Sequence, residues 1–200
     1  MREPGEQGPG PSSRCVAAFA GRRLPPSAPV AVTGDPTDQA LLEAGLRHRN
    51  AAELSPGDIA NLLEGRLGLL SPEAFLHVLP ALLQHSLDSF ESLSVFSAEL
   101  VEALTRPERG DIDVSFDRLA RLPPPELRDP VAVELLRAQQ LAWFDSGDPS
   151  RRFESRFAHL TADEGGAVLA YLEELRARHG DRFPFGELDT AIERYWARFR

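Results

Sequence analysis

At four places in this chain a serine or aspartate is followed directly by proline and then by apolar residues at helical spacing: Asp35-Pro36, Ser55-Pro56, Ser71-Pro72 and Asp129-Pro130. The pairing marks a helix start. The first side chain accepts a hydrogen bond from a free amide of the first turn, and proline suits the next position because it has no amide to leave unsatisfied. Leu41, Leu42 and Leu46 follow the first pair; Ile59, Leu62 and Leu63 the second; Phe75, Leu76, Leu79, Leu82 and Leu83 the third. A chain punctuated in this way buries its apolar stripes by packing helix on helix.

The remaining segments extend the pattern. Leu93, Phe96, Leu100 and Leu104 place a helix over 89–104. A short helix is expected over 116–122, ending at Pro123-Pro124-Pro125, and another from Asp129 to about Phe144. Thr161-Ala162-Asp163-Glu164 fits a capping box, in which threonine and glutamate each satisfy an end amide near the other. Val168, Tyr171, Leu172 and Leu175 continue it, and Gly180 is expected to close it in the left-handed conformation. A final helix carries Leu188, Ala191, Ile192, Tyr195 and Phe199 on one face. Residues 105–114 read as a charged turn, with Ile112, Val114 and Phe116 alternating as a short strand would; 145–150 read as a turn. Pro80 lies inside the third helix and predicts a kink there.

The expected fold is therefore all-α, a single-domain bundle or array of about seven amphipathic helices. Residues 1–13 read as a disordered arm, 14–36 as a short helix with a Pro-rich connector that includes an extended piece at Val30–Val32, and 37–200 as the helical domain.

Composition removes several chemistries. All 22 basic residues are arginine. Without lysine there is no Schiff-base or pyridoxal-phosphate chemistry, no P-loop and no kinase strand lysine. An arginine-only basic set suits a GC-rich, bacterial genome. The single cysteine, Cys15, makes no intrachain disulfide and no Cys-rich zinc site. A net charge of −9, from 31 acids against 22 bases, argues against nucleic acid as a partner. No stretch approaches the roughly 20 apolar residues that span a bilayer, and the polar Gly/Pro-rich start is unlike a signal peptide, so the expected location is cytoplasmic, without a membrane partner.

The search for a site turns up weak candidates. His77 and His85 flank Pro80. On an unbroken helix they would lie about 80° apart around the axis, with His77 on a polar, solvent-facing side beside Glu73. Asp111, Asp113 and Asp117 resemble part of a calcium loop, but its glycine and terminal glutamate positions hold Phe116 and Leu122. Arg151, Arg152 and Arg156 form a basic group suited to phosphate or carboxylate, interleaved with Phe153 and Phe157, which are expected to pack inward. Trp143 and Phe144 read as core. Trp196 lies off the last apolar stripe and reads as an exposed anchor for a partner. No cofactor, metal or catalytic constellation is expected.

Two blocks carry a resemblance. Leu70-Ser71-Pro72-Glu73-Ala74-Phe75, continuing to Leu79-Pro80, is one. Phe157-Ala158-His159-Leu160-Thr161 with Ala167-Val168-Leu169 and Tyr171-Leu172 is the other. Together, over about residues 40–175, they resemble a family of small bacterial proteins of unknown function with an L-S-P-E-A-F…L-P block and an F-x-x-L-T…A-V-x-x-(F/Y)-L block. The resemblance implies a helical fold and transfers no catalytic residue.

The function expected from these observations is a protein-interaction module, an adaptor or immunity-type inhibitor with a basic protein partner. The alternatives are a small-ligand binder or hydrolase-like enzyme with a pocket near Pro80, and a structural homo-oligomer with Trp196 in its interface.

Overall fold

A computed structural model describes residues 11–121 and 129–200. Expectations for 1–10 and for Pro123-Pro124-Pro125 fall outside the described residues. Among the described residues ten α-helices follow in order: α1 (Pro11–Ala18), α2 (Pro36–Leu46), α3 (Pro56–Asp58), α4 (Pro72–Asp88), α5 (Ser94–Leu104), α6 (Gly110–Arg121), α7 (Pro130–Asp145), α8 (Asp148–Phe157), α9 (Ala162–His179) and α10 (Glu187–Arg194). Among the described residues the sole extended pairing is an isolated antiparallel bridge between Ala31 and Leu70, so the fold is all-α. No described helix is long and apolar enough to cross a membrane.

The predicted starts are made by the predicted side chains. Asp35 accepts from the amides of Thr37 and Asp38, Ser71 from Ala74, and Asp129 from Val131. Ser55 with Asp58, and Thr161 with Glu164, form full capping boxes. Ile59–Leu63 continues α3 as a π-helical turn. The extended piece at Val30–Val32 is real: the Val32 amide donates to Leu69 O at 3.0 Å and the Ser71 amide to Val30 O at 2.8 Å.

Contacts group the chain into two compact units. The larger comprises the described chain up to Thr105 together with Ala158–Arg200; the smaller is Arg106–Phe157. In the larger unit α1 packs on α9 and α4, and α10 packs on α9 and α5. Its core holds Leu42, Ile59, Phe75, Leu79, Phe96, Leu100, Val168 and Leu172, all essentially without solvent exposure. In the smaller unit α7 packs on both α6 and α8.

Several local expectations are corrected. The first helix runs from Pro11 to Ala18, so residues 11–13 are its opening turn and not part of an arm. Residues 110–114 are helix, neither turn nor strand. Asp111 caps the Glu108 amide at 2.9 Å, and Ile112 and Phe116, two steps apart in an alternating pattern, are also one helical turn apart. Pro80 lies inside α4, as expected, with helix on both sides of it, and it is buried with its neighbours from Ala74 to Leu83. The stretch expected to begin a helix at Ser89 first makes a 3-10 turn at Phe90–Ser92. Asp148 already starts α8, because Gly147, at a φ of 76°, reverses the chain in one residue. Gly180 is right-handed, at a φ of −58°, and leads into a 3-10 turn. The last helix breaks at Tyr195 (φ −146°, ψ −48°), and Trp196–Phe199 form a separate 3-10 turn.

Candidate functional site

The break at Tyr195 decides the fate of Trp196. In a continuous helix it would leave the apolar stripe; after the break its ring turns inward. Trp196 has no solvent exposure and its indole Nε1 donates to Leu104 O at 2.7 Å, closing the C-terminal end of α5. It is therefore no exposed anchor.

His77 is likewise not at the surface. It is 7% exposed, and its Nδ1 and Nε2 face the carbonyl oxygens of Arg22 at 3.4 Å and Arg49 at 3.2 Å. Glu73, one turn earlier, is exposed, but the connector and the segment before α3 cover α4 at the level of His77. His85 is half-buried on the same helix. Eight residues of continuous helix set it about 12 Å further along the axis, so the two rings do not converge. An open depression of about 360 Å³ lies elsewhere, along Leu87–Ser92 and His179. Phe90 in it is already covered by His179, stacked 3.9 Å away and nearly parallel.

The segment around α1 is clasped to α9. Arg22 donates from Nε and Nη2 to Glu164 at 2.6 and 2.8 Å, and to His159 O at 2.9 Å. Burial alone would raise the Glu164 pKa; the Arg22 guanidinium and the Thr161 amide outweigh it and hold the carboxyl below its ordinary range. Cys15 is 1% exposed against Ala167 O, and burial pushes its thiol up to about 11, a shielded group and not a nucleophile. These are features of structure.

The basic group on α8 is engaged locally. Arg152 donates to Asp148 at 2.6 Å, and Arg151 donates to Ser146 O at 2.9 Å. Arg156 is half-buried; burial first, and Arg152 second, lower its pKa to about 10. As expected, Phe153 and Phe157 are buried, edge to face at 4.8 Å. Of the acidic trio, Asp113 pairs with Arg137 and Asp111 caps its own helix. Among the described residues no group of three or more His, Cys, Asp or Glu side chains is placed to hold a metal ion.

The surface that stands out was not foreseen. Helices α6 and α7 run antiparallel, with Arg109 paired to Asp145 at one end and Asp113 to Arg137 further in. Neither helix has a fully buried residue. On α7, Val131 is 76% exposed, Leu135 71%, Trp143 47% and Leu136 46%. At 100° per residue Val131, Leu135, Ala138 and Ala142 lie within about 60° of arc, and Ala132, Gln139, Trp143 and Leu136 extend it to about 160°. That arc contains no charged residue: Arg137 lies on the other side of the helix, and Glu134 and Asp145, the latter about 40° from Val131, lie beyond its edge. Trp143 is thus not core, contrary to expectation; its indole Nε1 donates to Asp148 at 3.3 Å, which leaves the ring on the surface. The available signal was that α7 is apolar around most of its circumference, more than two neighbours cover.

Charge is distributed unevenly as well. The smaller unit contains nine arginines against ten carboxylates, so almost all of the net −9 belongs to the larger unit.

No protein-family model matches the chain, and neither a curated protein nor a solved structure is found to be similar to it.

Proposed function

We propose that this protein is a protein-interaction module of the adaptor or inhibitor kind, with two surfaces of different character. The exposed apolar face of α7 is the contact that holds. The acidic larger unit is the contact that steers, toward a basic protein. The observation that carries this reading is grouping: four large apolar side chains lie uncovered on one uncharged arc of α7 in the near-neutral unit, whereas the exposed apolar residues of the acidic larger unit, Val16, Val32, Leu41, Val95 and Phe185, belong to separate segments. Exposed apolar residues grouped on one uncharged helix face mark an association site, whereas scattered ones do not. Net negative charge speeds encounter with a basic partner and does so less at high salt.

The test compares tagged wild type with Leu135→Glu in native lysate at low and high salt, with proteins identified by mass. A charge at position 135 leaves the core untouched. The expected result is a protein recovered by wild type and lost by the variant while both give the same helical circular dichroism. Equal recovery by both rejects α7 as a docking face. Recovery of a basic protein that salt does not weaken rejects steering.

A further inference from the structure

We propose that α6 and α7 form a conditionally stable pair, which opens and closes together while α4 and α9 stay folded. What holds each helix differs sharply. Helix α4 has twelve buried residues out of seventeen, and α9 has eight out of eighteen. The twelve residues of α6 and the sixteen of α7 include none. Among the described residues the buried side chains of the smaller unit, Pro149, Phe153 and Phe157, all belong to α8. The better-covered apolar side chains of the pair, Ile112, Phe116 and Leu119 on α6 and Val133, Leu141 and Phe144 on α7, are only half-buried. Helical propensity does not make up the difference. Isolated helices of about 12–15 residues are marginal in water, and most helix stability in a protein comes from the packed face. The ion pairs that join the two helices, Arg109 with Asp145 and Asp113 with Arg137, have side chains 35–54% exposed, where such pairs contribute little. Helices with few buried apolar groups occupy the low-stability end of a structure and open before the rest unfolds.

That the opening governs binding rests on the reading of α7 as a docking face. The uncharged arc of α7 exists as one surface only while the helix is formed. Whatever covers it therefore binds the closed pair and draws the equilibrium toward it. The opening itself needs no partner and is measured on the free chain.

The test is amide hydrogen exchange on the full-length protein, read by mass spectrometry. The expected result is that amides of α6 and α7 exchange at least about a hundredfold faster than those of α4 and α9. Equal protection of the four helices overturns the proposal. The second measurement uses Ala138→Pro, which removes a backbone donor in the middle of α7. Protection should fall across both α6 and α7 and stay unchanged in α4 and α9. A fall that reaches α4 and α9 shows one cooperative structure, and a fall confined to α7 shows that the two helices do not open together; either result overturns the proposal. The docking role of α7 is judged separately, by whether Leu135→Glu loses a protein in the lysate, and its failure leaves the exchange pattern as it is.

Discussion

Gly165 and Gly166 are adjacent in the first turns of α9, and the structure predicts opposite outcomes for alanine at the two positions. A Cβ on Gly165 would lie 2.3 Å from two ring carbons of Phe199 and 2.5 Å from a third; one on Gly166 would find nothing nearer than Phe199 O at 4.0 Å. The general helix term is the same for both. Alanine in place of glycine stabilises a helix interior by about 0.5–1 kcal/mol. At Gly166 nothing opposes it. At Gly165 the ring must leave. Phe199 is half-buried, so displacement forfeits roughly half of the 1.5–3 kcal/mol that full burial of such a side chain brings. Its packing against Trp196, with centroids 5.9 Å apart, and against Tyr195 at 6.3 Å is worth about 0.5–1.5 kcal/mol more for each. The balance is a loss of about 1–4 kcal/mol for Gly165→Ala and a gain of up to about 1 kcal/mol for Gly166→Ala. Urea unfolding followed by circular dichroism measures both through the midpoint at constant slope. If Gly165→Ala is as stable as wild type or more so, the docking of the last turn on α9 is wrong.

Two further predictions concern buried polar groups. Trp196→Phe keeps most of the ring but removes the donor to Leu104 O, leaving that carbonyl buried, and should cost about 1–3 kcal/mol in the same urea assay. Glu164 has a folded-state pKa depressed below its ordinary 4.5, so its contribution is fully present above that value and is lost as pH falls through the lower folded value. As pH falls below 4.5 wild type should therefore lose melting temperature faster than Glu164→Gln, and parallel losses would show that the Arg22 clasp contributes nothing.

Helix starts were legible because they are local. Asp35, Ser71 and the Thr161–Glu164 pair act within three residues of themselves, and no distant contact is needed to read them. What failed depends on who covers a helix. His77 occupies a helix that is buried on every side at that level, and its ring is held by carbonyls 55 and 28 residues away in sequence. Trp196 was misplaced because the stripe through Leu188, Ile192 and Tyr195 fits an unbroken helix, and nothing near Tyr195 announces the break. Trp143 was assigned to the core on apolar character alone. Apolar character tells how much surface a residue gains by burial, and the neighbours decide whether burial is supplied. The α7 face was invisible for the same reason: its exposure is a property of the helices beside it.

Trp143 reports on whether the α7 face is covered when the protein does its work. Trp196 is sealed inside, so acrylamide should quench essentially the Trp143 emission alone. Quenching is measured on dilute wild type and again on whatever assembly it forms, with itself or with a captured protein. The account predicts that Trp143 is readily quenched in the dilute chain and protected in the assembly. An assembly in which Trp143 remains as open to quencher as in the dilute protein contradicts it.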